Sequence, residues 1–497
     1  MAGLDLPRPS VSDALAGASV ALVLIPQSLA YAELANLPPY LGLFAAAFPL
    51  LAFSLFASSP YLQTGPTAVV SLLTFSALPA DDPAQLPRLA ALLALMVGVF
   101  RFIFGLLRIG VAVRLIALPV VTGFTSGAAI LIISSQLPRS LGVVAGDDGV
   151  IPEALQAITS PGDWNVQSIV LAVITITLFL GGRKLHPLFP GVLIAVIIGI
   201  VWSSTLDYDA ATVADVPEGL PPFSLDLPWD EIPTLLVGAL VIALIGFAEP
   251  VSIARTFANE TGTRWDANRE FMASGIANAV SSFAGGYPVG GSFSRSSVNK
   301  LAGATTRWAG GATGLVVLAF LPFAGVLEPL PRAVLGAIVL AAAWSLIKPK
   351  LLIGLWKRDP HQAALAWIVF ATTLLVAPRV ERAVVLGVLL TIGLHFWRGL
   401  SVERTNEASI ETVTPTGLMW IGTDDEFAAA LDDAASGSTD VAIDFARAPF
   451  IDDATIQAMR AAQERLAAQG HRLTWLNAPA GSDRMLASLA DPAGERR

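Results

Sequence analysis

The 497-residue chain contains no cysteine, four histidines, and only 14% Asp, Glu, Lys and Arg together. Without cysteine there is no disulfide framework, no thiolate nucleophile and no sulfur-ligated metal or iron–sulfur centre. His186, His361, His395 and His471 stand singly, with no pair four residues apart and no HExxH, so the usual zinc arrangements are excluded and no metal site is expected. No nucleophile elbow or phosphate-binding loop is found either, and the chain is not expected to be an enzyme. Scarce charge beside 54% hydrophobic residues would leave a soluble fold with far too much apolar surface, so most of this length belongs in lipid. The expected surroundings are the bilayer and a small anionic substrate, with no nucleic acid.

Apolar runs near span length predict helices at 13–35, 40–57, 66–79, 86–107, 111–138, 165–182, 187–206, 234–258, 266–286, 293–304, 306–325, 330–347, 361–377 and 380–400. That is about 14 spans, an α-helical polytopic membrane protein. The first apolar run, Ala14 to Leu34, carries an Ala30-Tyr31-Ala32 triplet like a leader cleavage site. It is read as a span, because its basic region is weak and further spans follow directly. With the N-terminus cytoplasmic, inside loops collect Arg183, Lys184, Arg255, Arg269, Lys348 and Lys350, while outside loops hold Arg88, Arg139, Arg332, Arg379 and Arg382. The acidic loop from Asp207 to Glu231 then lies outside. An even number of spans returns the C-terminus to the cytoplasm.

Two segments, near 66–79 and 293–304, are too short to cross as helices, and each follows a Gly/Pro/Ser leader. They read as half-helices. The halves of the chain match: Pro26 and Pro250 are 224 residues apart and Gly65 and Gly290 are 225 apart. The two prolines are expected to break their helices. Seven spans per half is odd, so the repeats, about 13–206 and 234–400, run through the membrane in opposite directions.

Opposed half-helices bring two N-termini together near the midplane, where free N–H groups and positive dipole ends favour an anion. Arg295 falls in the first turn of the second. A charge at that depth needs a cavity, a counter-ion or a ligand, and both an anion and a fixed ion pair with Glu249 fit. Thr67, Ser292 and Ser294 offer hydroxyl donors, and Gly65, Gly290 and Gly291 permit close backbone approach. Gln27 beside its proline can contact a ligand or satisfy loosened backbone, and Tyr31, four residues on, shares its helical face.

Ile25-Pro26-Gln27-Ser28-Leu29-Ala30-Tyr31-Ala32, followed by Leu37-Pro38-Pro39-Tyr40-Leu41-Gly42-Leu43-Phe44, resembles the signature of the SulP sulfate-permease family, which includes prestin and mammalian anion exchangers. Gly65 to Ser71, Pro288 to Asn299 and Ile443 to Asp453 resemble further family segments in the same order. The resemblance implies seven-plus-seven inverted repeats divided into core and gate domains, a bacterial inner-membrane location, and a cytoplasmic STAS domain. Residue by residue, it places Gln27, Tyr31, Thr67, Ala68, Glu249, Ser294 and Arg295 around one cavity. Ser292 joins them on its chemistry.

The implied activity is secondary active transport of a small anion, an organic dicarboxylate or an inorganic oxyanion, with a slight preference for a C4-type dicarboxylate. No cofactor is expected beyond a co-transported proton; sodium coupling, exchange, an uncoupled channel and a membrane-embedded enzyme are the alternatives. Glu249 and Glu33 are the candidate coupling groups. Glu33 stands where the family usually has an apolar residue.

The transport domain is expected to span 1–400, with a linker at 401–411 and the STAS module at 412–497. Strands are predicted at 414–422, 440–445 and 472–476, and helices at 424–435 and 453–469. Where phosphorylated STAS domains carry Ser or Thr, this chain has Asp453 and Ala454, with Thr455 beyond. The module is expected to serve folding, homodimer contacts or regulation.

Overall fold

A computed structural model describes residues 7–79, 83–108, 118–144, 146, 149–213, 216–221, 223–224, 226–261, 265–358, 360–398, 401–407, 410–416, 418–419, 424–437, 440–447, 450–451, 463, 466–467 and 471–477. They fall into two compact units, 1–388 and 389–497.

In the first unit, the first repeat consists of α1 (Val11–Leu34), α2 (Tyr40–Phe56), strand β1 (Thr64–Gly65) leading into α3 (Ala68–Ala77), α4 (Leu86–Leu106) and α5 (Leu118–Leu141). A surface helix α6 (Val150–Thr159) follows, then α7 (Val166–Ile176), continued by a π turn at Thr177–Gly181 and α8 (Gly182–Leu185), and α9 (Gly191–Thr205). The second repeat has α10 (Ile232–Thr261), α11 (Ala267–Phe283), strand β2 (Gly290–Gly291) leading into α12 (Phe293–Leu301), α13 (Trp308–Phe320) and α14 (Arg332–Trp344). Helix α15 (Pro349–Arg358) precedes α16 (Pro360–Leu375) and α17 (Glu381–Arg398). Setting aside α6 and α15, the segments make fourteen, seven in each of two inverted repeats. Among the described residues seven helices are long and apolar enough to cross a membrane on length and composition. The chain is a multi-pass membrane protein.

The prolines do not break their helices. Helix α1 runs through Pro26 and α10 through Pro250. Proline removes one helical donor, a loss that neighbouring helices and hydroxyls can absorb in a buried span. Helices α6 and α15 were not expected either. Each is 10 residues long, too short to register as a span. In α15, Leu352 and Leu355 are buried while Ile353 and Trp356 are exposed.

Packing divides the unit into core and gate. In the core, α4 lies on α11, α13 on α1 and α2, and α10 on α3 and α4; in the gate, α5 lies on α14 and α16, and α7 on α14. With lipid on the outside, such helices associate through close backbone approach. The α4–α11 crossing is the clearest case: a Cβ on Gly98 would sit 2.8 Å from the Gly275 carbonyl oxygen, and one on Gly275 would sit 2.6 Å from the Phe102 nitrogen. No larger residue fits at either position.

The second unit is α/β. Strands β3 (Ser401–Glu407) and β4 (Ile410–Thr416) pair antiparallel, and β4, β6 (Asp440–Asp444) and β8 (Arg472–Leu476) pair parallel in the order β3-β4-β6-β8. Short β5 (Leu418–Met419) pairs with β7 (Phe450–Ile451). Helix α18 (Asp424–Gly437) packs Phe427 and Leu431 against Val413, Val441 and Ile443. Residues 401–407, expected as linker, are strand β3: a polar sequence at a sheet edge lacks the apolar alternation that marks a half-buried strand. Asp453, Ala454, Thr455 and most of the helix expected at 453–469 lie outside the described residues.

Candidate anion site

The two leaders meet. Strands β1 and β2 pair antiparallel, Thr64 with Gly291 and Gly65 with Gly290. Because α3 and α12 start within three residues of their strands, antiparallel pairing points the helices away from each other and brings their N-termini to one place. Gly65 has φ of +140°, a conformation open to glycine, and a Cβ there would come 3.5 Å from Arg295 Nη2.

The second leader is fixed from behind by groups that the sequence reasoning missed. Arg101 of α4, 0% exposed, donates through Nη1 to the Val289 carbonyl at 2.7 Å and to Ser274 Oγ at 2.9 Å, and through Nη2 to the Ile242 carbonyl at 3.0 Å. Its Nε reaches the Ala243 carbonyl at 3.3 Å. The Asn278 side chain closes a reciprocal pair with Val289: its Oδ1 accepts from the Val289 N–H at 2.9 Å and its Nδ2 donates to the Val289 carbonyl at 3.2 Å. An arginine inside the 86–107 apolar run was the available signal for Arg101. The Gln63 N–H donates to Ser296 Oγ at 2.9 Å, and the Ser292 N–H to the Gln63 carbonyl at 3.0 Å, which ties the repeats together beside the strand pair.

The two helix N-termini differ. Ser292 caps α12, its hydroxyl accepting from the Arg295 N–H. The Glu249 carboxylate lies within electrostatic range of the Phe293 N–H at the start of α12 and of Arg295. Thr67, at the corresponding place on α3, makes no side-chain cap, so the first-turn N–H groups that begin at Ala68 keep their donors.

Arg295 is 1% exposed. Its Nη1 donates to the Pro66 carbonyl at 2.8 Å, across the repeat boundary. Among the described residues its Nε and Nη2 have no hydrogen-bond partner, and it forms no ion pair with Glu249. The fixed Glu249–Arg295 pair is therefore not the arrangement found. A backbone carbonyl holds one end of the guanidinium and leaves the rest of its fork free, the geometry that receives an oxyanion or carboxylate.

Tyr31 is buried within electrostatic range of Arg295, Glu249 and Arg183. Gln27, one turn earlier and 2% exposed, has a side-chain amide that makes no hydrogen bond among the described residues, so it is not repairing backbone at Pro26. Ser294 is half-buried, and its Oγ accepts from Arg183 Nη2 at 2.6 Å. The structure thus joins Tyr31, Glu249, Ser292, Ser294 and Arg295 with Thr67 and Ala68 at the leader pair. Glu33 stands apart at the end of α1, in an ion pair with Arg332 of α14 at 3.1 Å.

Comparison with known sequences matches residues 11–370 to the model of the sulfate permease family. The chain belongs to the sulfate permease family. This permease-family chain is 34% identical over 398 residues to the chloroplastic sulfate transporter 4.1 of Arabidopsis thaliana, covering 77% of the chain and 58% of that protein. It is 35% identical over 343 residues to a probable sulfate transporter of Mycobacterium tuberculosis, covering 67% of the chain and 61% of that protein. It is 31% identical over 386 residues to the sodium-independent sulfate anion transporter of Bos taurus, covering 69% and 63%. The chain thus spans about three fifths of the length of these relatives.

Among solved structures, the murine Solute Carrier 26 family member A9 anion transporter in its inward-facing state matches with a TM-score of 0.73 at 20% identity, over 97% of this chain and 87% of that one. The transmembrane domain of the cyanobacterial bicarbonate transporter BicA matches with a TM-score of 0.67 at 25% identity, over 75% and 97%. The first likeness is one of fold.

Proposed function

We propose that the chain is a secondary transporter that carries a small oxyanion, sulfate foremost, across the membrane by alternating access of the core against the gate. One observation carries this reading: a buried arginine with two unused donor nitrogens lies where two half-helices present their N-termini. A desolvated guanidinium is costly to leave unpaired, and an anion that takes up its free donors repays part of that cost. The relatives named as sulfate transporters support sulfate as the occupant.

A proton is the proposed co-substrate and Glu249 its carrier. The Glu249 carboxylate lies near the α12 N-terminus, within electrostatic range of the Phe293 N–H and of Arg295, close to the position an incoming anion would take. Two negative charges there repel, so an anion binds better when Glu249 is protonated, and the two binding events are linked. Sodium at Glu249 is the competing coupling. A C4-type dicarboxylate is the second reading for the substrate, since two helix N-termini offer two addresses for two carboxylates. We further infer that both termini are cytoplasmic, in the inner membrane of a bacterium, and that the C-terminal α/β unit is a STAS domain serving homodimer contacts or regulation.

The test is uptake into proteoliposomes of a panel of labelled anions, with proton and sodium gradients imposed separately. Sulfate accumulation driven by an inward proton gradient is expected. Accumulation driven by sodium alone would overturn the proton assignment, and dicarboxylate uptake without sulfate uptake would replace the substrate.

A further inference from the structure

Arg183 belongs to the gate, on α8 just beyond the π turn, yet its Nη2 reaches into the core to Ser294 Oγ at 2.6 Å. Its guanidinium lies over the Phe179 ring, 5.1 Å from the centroid, which orients an otherwise exposed side chain. No carboxylate lies within ion-pairing distance of it among the described residues. The same residue lines a cavity of about 170 Å³, together with Ser19 and Val23 of α1, Val298 of α12, and Phe179 and Phe189 of the gate. The cavity therefore lies between core and gate, next to the half-helix that carries Arg295.

The Ser294 hydroxyl has one proton to give and accepts from Arg183 on a lone pair. Accepting that charge-assisted bond turns its own O–H toward another acceptor and strengthens it as a donor. Ser294 is the neighbour of Arg295 in the first turn of α12. The anion site so far described is built wholly from the core, with one cation. Arg183 adds a second positive charge from the gate, bonded to Ser294 and within electrostatic range of Tyr31.

We propose that Arg183, acting through Ser294 and through its own remaining donors in the cavity, is the gate-side half of the anion site and sets a preference for doubly over singly charged anions. The inference rests on the anion-transport reading and adds to it the charge class of the substrate. Two cations, one on the core and one on the gate, act on both charges of a divalent oxyanion. For a monovalent anion the second cation adds less, because one charge is already met by Arg295 and the helix ends.

The experiment uses the full chain in proteoliposomes, with labelled sulfate against labelled nitrate as the divalent and monovalent probes, for wild type, Arg183→Gln, Arg183→Lys and Ser294→Ala. Arg183 is exposed, so its replacement leaves the buried core untouched. The expected result is a loss of about tenfold or more in apparent sulfate affinity for Arg183→Gln, the scale of one charged hydrogen bond, with nitrate changed by less than about twofold on the same scale. Arg183→Lys recovers part of the sulfate affinity because the charge remains, and Ser294→Ala falls between. Equal loss for both anions, no loss for either, or a wild type that prefers nitrate overturns the proposal. A wild type that moves no anion at all defeats the transport reading itself, and this inference falls with it.

Discussion

Arg295 and Pro66, at the starts of the two half-helices, are joined by a 2.8 Å hydrogen bond from Nη1 to the carbonyl oxygen. This contact fixes the one buried guanidinium that faces the anion site by a neutral acceptor on the opposite repeat. Among the described residues no carboxylate lies within ion-pairing distance of it, although Glu249 acts on it from further off.

Arg295→Ala should weaken sulfate binding by about ten- to a hundredfold, the range for a buried charged hydrogen-bonding group. Without anion the same variant should be as thermostable as wild type or more so, since it removes a buried charge and two unused donors. Thermal shifts with and without sulfate check both parts. Wild type should gain stability with ligand concentration and the variant should not.

Arg101 should prove indispensable to folding without touching substrate. Arg101→Leu removes the donor to the buried Ser274 hydroxyl, a cost of about 1–3 kcal/mol for a buried group left unpaired, and one of two donors to the Val289 carbonyl, which keeps Asn278. Arg101→Lys should recover little, because one ammonium cannot reach acceptors spread over α10, α11 and the β2 leader. Melting of the detergent-solubilised variants by intrinsic fluorescence is the measurement, and a lysine variant as stable as wild type would refute this role.

Gly65→Ala should cost about 1–3 kcal/mol, from the left-handed conformation a side chain would be forced into. The new methyl would also lie 3.5 Å from Arg295 Nη2, in ordinary contact. Stability should therefore fall more than sulfate affinity does, which parallel melting and binding titrations would register.

Glu249 and Glu33 should separate in a coupling assay. Glu249→Gln should abolish accumulation driven by a proton gradient while keeping sulfate exchange at equal pH. Glu33→Gln should keep gradient-driven accumulation, since Glu33 is held by Arg332 and is not part of the anion site. The Arg332 side chain is 42% exposed, so the pair itself should be worth no more than about 1 kcal/mol in a double-mutant cycle. Loss of coupling in Glu33→Gln alone would reverse the assignment.

The span boundaries, the half-helices and the nearly equal spacings of Gly65–Gly290 and Pro26–Pro250 were legible because membrane segments announce themselves through apolar length and its interruptions. Arg295 was legible for a related reason: a charge in such a segment stands out. The antiparallel contact of the leaders was implied by inversion, but two residues per strand carry no periodicity, so β1 and β2 could not be read. Continuity of α1 and α10 through their prolines depends on how neighbouring helices absorb one lost donor, a tertiary effect. Arg101 and Arg183 were hidden for opposite reasons. The first passed as part of a span, and the second passed as one of the basic residues that set orientation, while its bond to Ser294 spans 111 positions. In the second unit, β8 was legible from its alternation, whereas β3 passed for linker because an edge strand is polar.

The most direct test of the central claim is uptake of labelled sulfate into proteoliposomes holding either the wild-type chain or Arg295→Ala, under an inward proton gradient. Saturable accumulation by wild type, lost in the variant and abolished when the gradient is collapsed, is the predicted result. Equal uptake by both proteins, or wild-type uptake indifferent to the gradient, would contradict a proton-coupled anion site built on Arg295.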